Sequence, residues 1–117
     1  MRLRLLLLLL AAAVLPAADV TGKWKAEFSA GGETRVNLFD FKQQGEKLTG
    51  TVQGSAGEPA PIADGKLSSD QISFSAVRNI GGEEVKVSYK GKVAGNEIHL
   101  QVQFRDIEFD ITAKRAP

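Results

Sequence analysis

From Asp19 onward, apolar residues recur at alternate positions, and no window of 11 or more residues shows the i, i+3, i+4, i+7 spacing of an amphipathic helix. The second half is clearest. Val85, Val87, Tyr89, Gly91 and Val93 share one phase, followed by Ile98, Leu100, Val102 and Phe104, and then by Ile107, Phe109, Ile111 and Ala113. Their alternates are Lys86, Ser88, Lys90, Lys92, then His99, Gln101, Gln103, Arg105, then Glu108, Asp110, Thr112, Lys114. One face is apolar and the other hydrated, which predicts half-buried strands over 20–30, 34–43, 46–54, 61–67, 71–79, 84–93, 97–105 and 107–115. Gly31-Gly32, Gln44-Gly45, the 55–60 loop, Ser69-Asp70, Gly81-Gly82, Gly95-Asn96 and Asp106 separate them, nearly all residues that tolerate turn geometry. Parallel crossovers need a dozen or more residues, so each strand must pair antiparallel with its predecessor.

A flat meander of this kind would leave two long edges, and neither terminal strand carries a proline or, short of its last residue Arg115, the inward charge that blunts an edge. The expected fold is therefore all-β: an eight-stranded antiparallel up-and-down barrel with room inside for side chains or one small ligand. Its apolar phase faces inward. An outer-membrane barrel reverses that pattern and needs aromatic girdles, which one Trp and one Tyr cannot supply.

The first 18 residues follow another rule. Met1-Arg2-Leu3-Arg4 is a basic start, Leu5 to Leu15 is unbroken apolar sequence, and Pro16-Ala17-Ala18 breaks the run with small residues. These are the parts of a secretory signal peptide, and the run is short of the ~20 residues of a membrane span, so no stable membrane anchor is expected. Residues 1–18 are read as the signal and 19–117 as a single domain, released into the periplasm or outside the cell.

Composition changes with that division. The 43% apolar content of the chain is inflated by the leader, and the net charge of +1 includes Arg2 and Arg4. Without them 13 Lys and Arg face 14 Asp and Glu, a net charge of −1 that argues against a nucleic-acid-binding surface. The absence of cysteine excludes a disulfide scaffold and thiol chemistry.

The residues now carry a resemblance. Gly22-Lys23-Trp24 on the first strand, Gly45-Glu46-Lys47-Leu48-Thr49-Gly50, Ile62-Ala63-Asp64-Gly65-Lys66, Ile72-Ser73-Phe74, Tyr89-Lys90-Gly91-Lys92-Val93-Ala94-Gly95 and the terminal Thr112-Ala113-Lys114-Arg115 resemble the calycin group, which includes lipocalins. The likeness is to small lipocalin-like domains of secreted bacterial proteins without a settled function. It implies that Trp24 packs under a basic side chain of the last strand at the closed end. The pleat selects Arg115 for that place, because it shares the phase of Phe109, Ile111 and Ala113. Both residues are expected to form the barrel floor and to have no catalytic role.

Catalytic machinery is not visible. His99 is the only histidine and lies on an outward phase with no second His or Cys. Asp106, Glu108 and Asp110 alternate on one face, where charge pairs with Lys23 and Lys25 on the adjoining first strand explain them more simply than a metal or an acid–base pair. No glycine cluster joins a strand to a helix, and no Gly-x-Ser-x-Gly occurs. No enzyme activity, metal or cofactor is expected.

The second strand is irregular, with Val36 and Leu38 on one phase and Phe39 and Phe41 on the other. Either a bulge switches the phase or one set is exposed. If the aromatics point inward, Asn37 and Arg35 do too, at the end opposite Trp24, where Arg78 also finishes its strand. A polar rim of Arg35, Asn37 and Arg78 above a throat of Phe28, Val52, Ile62, Val85 and Phe104 is the candidate site for a small apolar or amphipathic, anionic ligand. The alternative is a filled barrel that acts on a protein partner through its upper loops, chiefly 54–61.

Overall fold

The computed structural model describes residues 19–54 and 57–116; the expected signal peptide at 1–18 lies outside them. Eight strands follow in chain order: β1 (Gly22–Ala30), β2 (Glu33–Gln44), β3 (Lys47–Gln53), β4 (Ala60–Ser68), β5 (Gln71–Ile80), β6 (Glu83–Ala94), β7 (Glu97–Phe104) and β8 (Ile107–Arg115). Each pairs with its predecessor, and β8 returns to β1, so the sheet is a closed antiparallel barrel with up-and-down order, consistent with a lipocalin-like fold. The Gly31-Gly32 and Gly81-Gly82 turns have φ between 61° and 88° at both positions. That is the two-residue hairpin geometry that follows the twist of the flanking strands.

The phase of β2 is settled by exposure of the aliphatic set. Phe39 and Phe41 are buried and Leu38 is 42% exposed. The β2 ladders to β1 and β3 run without a shift, so β2 has no bulge. Irregularity lies instead in β4, whose register slips against β3 between Leu48 and Thr51 and against β5 between Ala63 and Lys66.

Aromatic rings fill the barrel. Phe74 stacks on Tyr89 with centroids 4.6 Å apart, meets Phe41 edge-on at 5.3 Å, and Phe39 touches all three rings. Such contacts add about 0.5–1.5 kcal/mol each beyond their buried area. Two strand glycines let neighbouring backbones approach closely: a Cβ on Gly91 would stand 1.8 Å from the His99 carbonyl oxygen, and one on Gly50 1.8 Å from that of Asp40. At these points only glycine admits the close approach of the neighbouring strand's backbone.

One end is sealed. Trp24 is fully buried, its Nε1 donates to the Val20 carbonyl at 2.9 Å, and the Arg115 guanidinium lies 4.5 Å from its ring centroid. Arg115 also donates to the carbonyls of Asp19 and Thr21, at 2.6 and 3.1 Å, which ties the lead-in segment across the barrel floor.

Closure is uneven. The β1–β8 ladder joins Trp24, Lys25 and Ala26 to Arg115, Lys114 and Ala113 and goes no further. Above it no ladder pair joins the two strands, and Phe28 of β1 meets Phe109 of β8 with ring centroids 5.5 Å apart. The cross-strand ion pairs expected for Glu108 and Asp110 are therefore a correction. Lys25 sits opposite Lys114 and pairs with Glu27 on its own strand at 3.3 Å, while Lys114 lies 3.9 Å from Glu97. The two carboxylates stand opposite Gln103 and Gln101 of β7, and no ion pair joins them to another described residue.

Candidate functional site

The end of the barrel away from Trp24 is formed by the Gly31-Gly32 and Gly81-Gly82 hairpins, the Arg105-Asp106 turn, the end of β3 at Gln53 and the start of β4 at Ala60. The inward phase of β2 places Asn37 here, 6% exposed, and that of β5 places Arg78, half-buried. Nη1 of Arg78 donates to Asn37 Oδ1 at 3.4 Å and to the Tyr89 hydroxyl at 3.1 Å. Tyr89 is the upper ring of the aromatic column, so the guanidinium closes the apolar interior with a charge.

Partners of Arg78 among the described residues are neutral, and no carboxylate lies within ion-pair distance of it. A half-buried guanidinium that has lost part of its hydration without gaining a counter-charge is an electrostatic trap for an anion. Burial pushes the Tyr89 phenol above its ordinary pKa of 10.0, opposed by the charge and hydrogen bond of Arg78. The phenol is protonated at neutral pH and adds a hydroxyl donor beside the cation.

The sequence placed Gly54 in the upper loop 54–61 but gave no sign of its contact with Arg78. A Cβ there would stand 2.6 Å from Arg78 Nη2 and 3.8 Å from Asn37 Oδ1, so the chain leaving β3 passes directly over the guanidinium. A lone glycine after a strand reads as a turn, and its sequence position says nothing of a side chain 24 residues away.

Other candidate residues have different surroundings. Val52 is fully buried in the core, whereas Phe28, Ile62, Val85 and Phe104 are half-buried. Phe28, Phe109 and Phe104 form a second aromatic group, with Phe104 meeting Phe109 edge-on at 6.2 Å. Arg35 is exposed; it sits opposite Phe28 in the ladder and makes no side-chain hydrogen bond or ion pair with a described residue. Below the rim Phe39, Phe74 and Tyr89 pack against one another in the barrel interior.

His99 is exposed on β7, 3.4 Å from Glu97 and with its Nδ1 3.3 Å from the Thr112 hydroxyl. No group of three or more metal-ligating side chains occurs among the described residues. The outer faces of β4 to β8 carry a broad open depression lined by Ser73, Lys90, Lys92, His99, Gln101 and Asp110, a hydrated face without a desolvated charge.

No protein family matches the chain, and no curated protein or solved structure matches it either.

Proposed function

We propose that the chain is a secreted, non-enzymatic binding protein of lipocalin-like, calycin type, exported to the periplasm or cell exterior, that holds a small amphipathic anion at the open end of its barrel. The observation that carries this reading is the half-buried Arg78 guanidinium, held by Asn37 and Tyr89 with no carboxylate beside it. An anionic head seated there replaces the lost hydration of the guanidinium, receives the Tyr89 hydroxyl, and has Arg35 at its outer side. The apolar part rests on Phe28, Ile62, Val85 and Phe104. Because the aromatic column fills the interior, the ligand is short or lies across the rim instead of descending into the barrel.

The packed interior also supports a second reading, a protein-interaction or inhibitor module acting through the upper loops. Native mass spectrometry of protein purified from its own host separates the two. A retained small anion, lost from the Arg35→Ala, Arg78→Ala double variant while folding is kept, supports the first. A stoichiometric protein partner supports the second. Retention that is unchanged in the double variant removes Arg35 and Arg78 from the site.

A further inference from the structure

The split between β1 and β8 leaves a six-residue strand, Ile107 to Thr112, hydrogen-bonded to β7 on one side and joined by no ladder to a strand on the other. Backbone N–H and C=O groups along such an edge are a template for one more strand. The edge is also chemically sorted. Its outward phase carries Glu108 and Asp110, both exposed and without an ion pair to a described residue. On its inward phase are Ile107, 50% exposed, and the half-buried Phe109.

We infer that the free upper edge of β8 docks an extended peptide segment of another protein, one that alternates basic and apolar side chains. Main-chain hydrogen bonds to β8 supply affinity and the two faces supply specificity. Basic side chains of the incoming strand stand opposite Glu108 and Asp110 at cross-strand distance, and its apolar ones meet Ile107, Phe109 and Phe28. Lys25 and Lys114, in the closed part of the seam, mark the lower limit of the docked segment by like-charge repulsion. This surface shares Phe28 with the apolar part of the anion site but uses neither Arg78 nor Asn37, so loss of the Arg78 site leaves it in place.

The test uses the full mature domain and a capped hexapeptide of alternating Lys and Val, read by amide hydrogen exchange of residues 107–112. Free, dilute protein is expected to exchange rapidly at the edge amides that face β1, and saturating peptide is expected to slow them at least tenfold. A matched peptide of alternating Glu and Val should have no effect, and Glu108→Lys with Asp110→Lys should weaken binding at least tenfold without unfolding the domain. Arg78→Ala should bind the peptide as the wild type does. Slow exchange in the free dilute protein overturns the proposal, because the seam is then closed. So does protection that rises with protein concentration without peptide, which assigns the edge to a second copy of the chain. Binding without amide protection overturns it as well, since it reduces the effect to diffuse charge attraction.

Discussion

Nη1 of Arg78 lies 3.1 Å from the hydroxyl of Tyr89, joining the charge at the upper end of the barrel to the aromatic column beneath it. Burial raises the Tyr89 pKa and Arg78 lowers it, so removing the arginine leaves the larger cause unopposed. Tyr89 is the only tyrosine, so ultraviolet titration of phenolate reads it alone. Arg78→Ala is expected to move the titration further above 10.0; a downward shift would contradict the contact.

The same shift has a consequence for stability. A phenol that titrates higher in the folded than in the unfolded state binds more protons when folded, so its contribution is complete below the unfolded pKa and lost as pH rises through the folded value. Denaturant midpoints are expected to fall above about pH 10, and Tyr89→Phe should flatten that part of the profile.

Gly54→Ala tests the close approach above the guanidinium. The added methyl meets the mobile end of a side chain, so the loss of stability should stay under about 1 kcal/mol. Arg78 must nevertheless move, and the Tyr89 titration should rise toward that of Arg78→Ala. An unchanged titration would show that the guanidinium keeps its place.

Trp24→Ala at the sealed end is expected to cost about 3–5 kcal/mol in denaturant unfolding. Arg115→Ala should cost much less, on the order of 1 kcal/mol, because the guanidinium is exposed over the indole. A Trp24→Ala loss under ~1 kcal/mol would mean that the indole does not hold the floor together.

Two glycines separate bending from turn geometry. Gly91→Ala drives a methyl into the His99 carbonyl and should cost about 3 kcal/mol. Gly81→Ala has open space around it and a φ of 62°, so only backbone strain applies, about 1–2 kcal/mol. Thermal melts of equal size would remove the crowding argument for Gly91.

Strand number, order and closure were determined by the sequence itself. Alternation with period 2 depends only on local backbone geometry, and short turn-rich connections leave an antiparallel meander as the one available path. The same pleat put Arg115 and not Lys114 on the phase of Ala113 and Ile111, and the guanidinium lies over Trp24. Alternation could not choose between the two apolar phases of β2, because either set would bury well by itself. Packing against Phe74 and Tyr89 decided it, leaving Leu38 in water.

Only the tertiary structure decided how the barrel meets itself. Register between the first and last strands depends on the accumulated twist, coil and β4 irregularities of the whole sheet, and no local pattern encodes that sum. Hence the expected charge pairs of β8 with β1 gave way to a ladder that ends at Ala26, and Glu108 and Asp110 make no ion pair with a described residue. The neutral cradle of Arg78 arises in the same way, from side chains on β2, β5 and β6 and the backbone of Gly54. Their sequence separations range from 11 to 41 residues for the hydrogen-bonded pairs, so their meeting is a property of closure and not of any segment.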